Sequence, residues 1–147
     1  RIQDVAFITD AVAEPVPGKR VHYHGHDGGC RVADDGRTVV WSAPPPEGGG
    51  CPTATGARRP VLCGSCANLH GAFVSAMTAH KVPLPAAVAM VTSTPARIAG
   101  LDGEVGTLEK GKRGDLVLMA GAEDGFGVLG TLVGGKIVFW RASRAKT

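Results

Sequence analysis

The run Phe7-Ile8-Thr9-Asp10-Ala11 constrains the fold of this chain more than any other stretch. It extends the apolar pair Val5-Ala6, so a short apolar stretch ends abruptly in a carboxylate. A strand buried on both faces of a parallel sheet has this continuous apolar character, without alternation. In α/β barrels the C-terminal ends of such strands carry the catalytic groups. Two local roles are open to Asp10. It can cap the following turn, for which its short side chain is suited, or it can stand as a catalytic carboxylate at a strand end.

Downstream of Asp10 the pattern changes. Glu14-Pro15-Val16-Pro17-Gly18 is a turn, and Lys19 to Tyr23 and Cys30 to Val32 read as short strands around Gly25-His26-Asp27-Gly28-Gly29. Asp34-Asp35-Gly36 turns the chain again into a strand over Thr38-Val39-Val40-Trp41, completing a small antiparallel excursion. Residues 42–60, with Ala43-Pro44-Pro45-Pro46 and Gly48-Gly49-Gly50, have almost nothing to bury and predict a disordered insertion. From Ala67 to His80, Leu69, Phe73, Ala76, Met77 and His80 recur at helical spacing, with Ser65 as the expected N-cap. A second helix is expected from about Pro85 through Val91, broken by Pro95. A short turn over 96–99 then closes on Gly100. The remainder reads as β: Val105–Leu108, Leu116–Met119, and a hairpin of Val128–Val133 with Lys136–Trp140 across Gly134-Gly135. No internal repeat is evident.

The 147 residues suffice for one ordinary domain with a core. Arg1 stands where an initiator Met would be, directly before a strand-like run, so the chain reads as a segment of a longer protein. Sixteen basic and thirteen acidic residues leave a net charge of +3, with the basic residues scattered and aromatics at 5%. That excludes the basic, aromatic-rich surface expected of a nucleic-acid binder. No apolar stretch is long enough to span a bilayer, and no signal-peptide pattern is present, so a cytoplasmic protein without membrane attachment is expected.

Cys30, Cys51, Cys63 and Cys66 read as reduced thiols in that compartment. Cys63-Gly64-Ser65-Cys66, between an apolar strand and a helix, has the layout of a thiol redox motif. It could also form half of a zinc site with Cys30 and Cys51, although zinc sites usually offer a second close pair. Two thiols packed near a helix start is the plainer reading. His22, His24 and His26 alternate and so share one face of a strand. Three imidazoles at that spacing could bind a metal, but a solvent-facing strand is the plainer reading.

The order of these elements, together with several short motifs, resembles the C-terminal part of the N-acetylglucosamine-6-phosphate deacetylases in the amidohydrolase superfamily. The motifs are Ile8-Thr9-Asp10-Ala11, Leu62-Cys63-Gly64-Ser65, Met90-Val91-Thr92-Ser93-Thr94-Pro95-Ala96 and Gly100-Leu101. Gly106-Thr107-Leu108-Glu109-Lys110-Gly111-Lys112, Gly114-Asp115-Leu116-Val117 and the stretch Gly134 to Val138 complete them. The tail from Pro95-Ala96 to Val117 is common to amidohydrolases at large. Thr9-Asp10-Ala11 followed by Leu62-Xaa-Gly-Ser narrows the likeness to the deacetylases. Two departures stand out: Cys63 occupies a position where the family usually has Ser or Ala, and the insertion before it is unusually long.

The resemblance implies an α/β fold: the end of a TIM-like (β/α)8 barrel of a metal-dependent hydrolase, plus part of a small β-sandwich. Residues 1–101 would hold the last barrel strand, the excursion, the insertion and the flanking helices; 102–140 the sandwich strands; 141–147 a tail. The implied reaction is deacetylation of N-acetylglucosamine 6-phosphate to glucosamine 6-phosphate and acetate, in amino-sugar catabolism. Asp10 would take a proton from a metal-bound water and pass it to the leaving amine, a role suited to one carboxylate serving as base and then acid. Leu62, Cys63, Gly64 and Ser65 would line the sugar-phosphate pocket, Gly64 admitting close backbone approach. The cofactor implied is a divalent metal ion such as zinc. Asp10 is a candidate ligand, and the main ligands lie on barrel strands outside this chain, which alone would be inactive. The family also suggests a homodimer. Other amidohydrolases, dihydroorotase-like or adenine-deaminase-like, share much of the pattern. A thiol redox module at Cys63 and Cys66, or a catalytically dead remnant, are the readings from other classes.

Overall fold

The computed structural model describes residues 4–21, 29–42 and 61–141. The predicted insertion from residue 43 to 60, the triad His22, His24 and His26, Cys51 and the tail from residue 142 lie outside the described residues. The elements run in the order β1 (Arg20–Val21), β2 (Cys30–Val32), β3 (Thr38–Trp41), β4 (Leu62–Ser65), α1 (Leu69–Thr78), α2 (Leu84–Val91) and α3 (Ser93–Ile98). These are followed by β5 (Leu116–Met119), β6 (Val128–Val133) and β7 (Lys136–Trp140). The chain is therefore α/β in content. It divides into two compact units, residues 8–72 and residues 1–7 with 73–147.

The first unit is a four-stranded antiparallel sheet in the order β1-β2-β3-β4. Cys30 pairs with Trp41 and Val32 with Val39, which sends Cys30, Val32 and Val39 to the same face. All three are fully buried, and with Cys66 they form a core against which Val12, Ala13, Val21, Trp41 and Cys63 pack. The β2–β3 turn is set by Asp35. Its carboxylate accepts hydrogen bonds from the Arg37 and Thr38 amides at 2.8 and 3.0 Å, and Gly36 takes φ +63°. Those amides hold the Asp35 carboxyl below the usual carboxylate range. A bulge between Val39 and Val40 interrupts the β3–β4 register.

The segment Phe7–Asp10, expected as a barrel strand, carries no regular secondary structure. Ala11 forms a parallel bridge to Ser65, and the segment is not a strand. Asp10 takes φ +49°, in the left-handed region, one residue before that bridge. Leu62–Ser65, read as a pocket-lining loop, is a strand instead, because β3 supplies its backbone partners. The expected cap of α1 also shifts. Asn68 accepts the Gly71 amide at 2.7 Å, whereas the Ser65 hydroxyl is turned to the Thr9 carbonyl and accepts the Ala67 amide.

In the second unit α2 begins with Pro85 in its first turn and buries Ala87 and Met90. The Phe7 amide donates to the Met90 carbonyl at 3.0 Å, and Arg97 lies 3.8 Å from the Asp4 carboxylate. The helical run breaks at Thr92 and not at Pro95: Thr92 leaves helical geometry, and α3 restarts with Pro95 in its first turn, where a missing amide costs nothing. Gly100, at φ +71°, ends α3 with paired hydrogen bonds from Gly100 to Arg97 and from Leu101 to Ala96.

The strand expected over Val105–Leu108 is absent among the described residues. Gly106 turns the chain at φ +96°, and a Cβ there would stand 2.7 Å from that of Ala96. The hairpin expected across Gly134-Gly135 is present, both glycines having positive φ. Asp115 anchors its turn by accepting the Gly134 amide at 2.8 Å while Arg113 forks onto its other oxygen. These contacts hold the Asp115 carboxyl below its ordinary value.

Candidate functional site

Asp10 and Leu62–Ser65 lie more than fifty positions apart, and the first unit brings part of the set together. The Ser65 amide donates to the Asp10 carbonyl at 2.8 Å, the Ser65 hydroxyl donates to the Thr9 carbonyl, and the Val12 amide returns to the Ser65 carbonyl at 3.0 Å. Ser65 thus clamps the backbone on both sides of Asp10. A Cβ on Gly64 would meet Val12 Cγ2 at 2.8 Å and the Asp10 carbonyl oxygen at 3.1 Å, so the space this glycine leaves is taken by the Asp10–Val12 segment itself. The Asp10 carboxylate projects from an exposed residue held in the left-handed region, a conformation that Asp tolerates better than most. Among the described residues no hydrogen bond consumes its carboxylate oxygens. The group is presented outward on a fixed backbone.

The other two residues of the set point elsewhere. Leu62 is 63% exposed at the strand edge. Cys63 turns to the core of the unit, where the Cys30 thiol donates to its sulfur at 2.8 Å and the Cys63 thiol faces the Val61 carbonyl at 3.9 Å. Burial, and then the contact with Cys30, pushes the Cys63 thiol up to about 12. Cys66 has a different partner, the Glu14 carbonyl at 3.6 Å. The Cys63–Cys66 pairing that a redox motif requires is therefore not formed; Cys63 faces Cys30. Sequence reading missed Cys30 in this role, and the only signal for it was its place in the alternating strand Cys30-Arg31-Val32, which sends it inward.

The described residues contain no group of three or more His, Cys, Asp or Glu side chains able to hold a metal ion. Asp10 alone does not make a metal centre, so the donor set seen here does not fit a complete divalent-cation site. Among the described residues no helix is long and apolar enough to cross a membrane.

Comparison with known proteins gives a family and a fold. The amidohydrolase family matches residues 34–138. The chain is similar in fold to the N-acetylglucosamine-6-phosphate deacetylase of Pasteurella multocida, at a TM-score of 0.69 and 22% identity, covering 96% of this chain and 31% of that one. The corresponding enzyme of Thermotoga maritima gives a TM-score of 0.68 at 18% identity, covering 96% of this chain and 32% of that one. The chain thus spans about a third of the length of the solved structures it matches. No curated protein sequence matches it. Since the family match takes in most of the chain, from the β2–β3 turn to the last hairpin, this protein belongs to the amidohydrolase family.

Proposed function

We propose that this chain is the part of an N-acetylglucosamine-6-phosphate deacetylase that carries the acid–base carboxylate Asp10. The observation that carries the reading is the Ser65 clamp on Thr9 and Asp10. It joins the two motifs on which the deacetylase resemblance rests and leaves the carboxylate open. The similarity of fold to two deacetylases supports it.

In this reading Asp10 takes a proton from the attacking water as the acetamide carbonyl becomes tetrahedral. It then delivers that proton to the amine as the C–N bond breaks, giving acetate and glucosamine 6-phosphate. One carboxylate can serve both steps because the proton it gains is the proton the leaving group needs, and such catalysis is worth about 10²–10⁴-fold. The amidohydrolase family is generally metal-dependent; Asp10 is the one residue of the described chain that this reading would lend to such a site, and no step is assigned to a metal here. The reading also takes residues 5–10 with the helices as the end of a (β/α)8 barrel and β5–β7 as part of a small β-sandwich. The ligand would be an amino-sugar phosphate, and the enzyme a cytoplasmic homodimer.

The test is acetate release from N-acetylglucosamine 6-phosphate with zinc present. The chain alone should release none. In the full-length protein it should be active, and Asp10→Asn should lower that activity by at least about 10²-fold. Turnover by the chain alone, or by the Asp10→Asn protein at the parental rate, contradicts the proposal.

A further inference from the structure

The hydrolase reading makes no use of the sulfur pair in the core of the first unit. Cys30 on β2 and Cys63 on β4 come from strands that flank β3 on opposite sides, yet their Sγ atoms are 2.8 Å apart. A disulfide bond is ~2.05 Å long, so the two sulfurs are within 1 Å of bonding distance. Both are thiols. The pair is asymmetric: Cys30 is fully buried, while Cys63 is partly exposed at the edge of the same core. Cys66, two positions beyond Gly64 and the more obvious partner in sequence, points to the Glu14 carbonyl.

We propose that Cys30 and Cys63 form a reversible dithiol–disulfide site in which Cys63 reacts first with a low-molecular-weight disulfide and Cys30 resolves the product. In the first step the Cys63 thiolate, which burial confines to alkaline solution, attacks one sulfur of the small disulfide. A protein–small-molecule S–S bond forms and one small thiolate leaves. In the second, the Cys30 thiolate attacks the Cys63 sulfur, the Cys30–Cys63 bond forms, and the second small thiolate leaves. The protons lost by the two cysteines go to the two thiolates released. The dithiol is oxidised by two electrons and the small disulfide is reduced by the same two. The order follows from access, since a small disulfide can reach Cys63 and cannot reach Cys30 without opening the core. The bond would tie β2 directly to β4, the strand whose Ser65 clamps Asp10. The site stands on the sulfur geometry alone, so its failure would leave the hydrolase reading untouched.

The experiment incubates the full chain, natively folded, with glutathione disulfide in mildly alkaline buffer, then quenches with acid, alkylates under denaturing conditions, and reads intact mass and peptide map. The wild-type chain should lose two hydrogens and yield one cross-linked peptide joining Cys30 to Cys63. Cys30→Ser should stop at the first step, gaining a single glutathionyl group on Cys63, and Cys63→Ser should gain none at Cys30. A Cys51→Ser, Cys66→Ser double variant should behave as wild type. A cross-link mapping to Cys63–Cys66 or to Cys51 would overturn the proposal, as would a wild-type chain that keeps all its thiols. So would protection of both sulfurs by one equivalent of zinc, which would make the pair a metal site. The wild-type peptide map needs no variant, so misfolding of a core substitution cannot blur the result.

Discussion

The two β sheets of this chain are of similar size and differ in what they bury. In the sheet β1–β4, alternation along Cys30-Arg31-Val32 places two side chains out of solvent, and the core closes over them with Val39 and Cys66. In β5–β7 the outer strand reads Lys136-Ile137-Val138-Phe139-Trp140, with four consecutive apolar residues, and all five are exposed. Ile137 is 63% and Trp140 58% exposed. A strand that is apolar on both faces has a composition suited to cover on both faces. The first sheet closes a buried core of its own unit, whereas in the second the Trp140 ring covers Gly130, Asp115 anchors the turn and the outer strand stays exposed.

Perturbations should therefore act strongly on the first sheet and weakly on the second. The largest effect expected is that of joining Cys30 to Cys63, whose sequence separation is 33. Closing a loop of that length stabilises by about 3–4 kcal/mol in the chain-entropy model. Amide exchange should slow in β2–β4 and stay unchanged in β5–β7. Next, Val39→Ala removes part of a fully buried side chain and should cost about 2 kcal/mol in denaturant unfolding. Gly64→Ala forces a methyl against Val12 and should cost a comparable 1–3 kcal/mol, roughly, while shifting the backbone signals of Thr9 to Val12.

Alkali offers a further contrast. The Cys63 thiol is raised in the folded state from 9.0 to about 12. The unfolded chain therefore loses this proton first, and the stability contributed below pH 9 falls as pH rises from there toward about 12. Cys63→Ala should flatten that decline. The smallest effect belongs to the second sheet: Ile137→Ser, at an exposed site, should change stability by no more than about 0.5 kcal/mol. A large loss there would mean that β7 is covered in solution.

Local chemistry made much of the fold legible in the sequence. The hairpin across Gly134-Gly135 follows from two glycines between apolar runs, and β2 and β3 follow from alternation around Asp34-Asp35-Gly36. The misreadings lie where tertiary contacts override local pattern. Val105–Leu108 looks like a strand, but Gly106 is held against α3 at a positive φ that no strand adopts. Pro95 signals a break, yet it fits the first turn of a helix that restarts three residues earlier than expected, at Ser93 instead of the turn at Ala96. In the candidate site, the motifs around Asp10 and Ser65 could be recognised separately. Their contact could not, because a parallel bridge between residues 11 and 65 leaves no periodic trace in either segment. The Cys30–Cys63 pair was hidden for the same reason, and the nearer Cys66 offered a partner that the fold does not use.

The most direct measurement is metal-supplemented acetate release from N-acetylglucosamine 6-phosphate by the full-length protein, compared with its Asp10→Asn form. If Asp10 is the proton-transferring carboxylate, the substitution should lower kcat by at least about 10²-fold with the Ser65–Thr9–Asp10 backbone unchanged. An Asp10→Asn protein that releases acetate at the parental rate would contradict it.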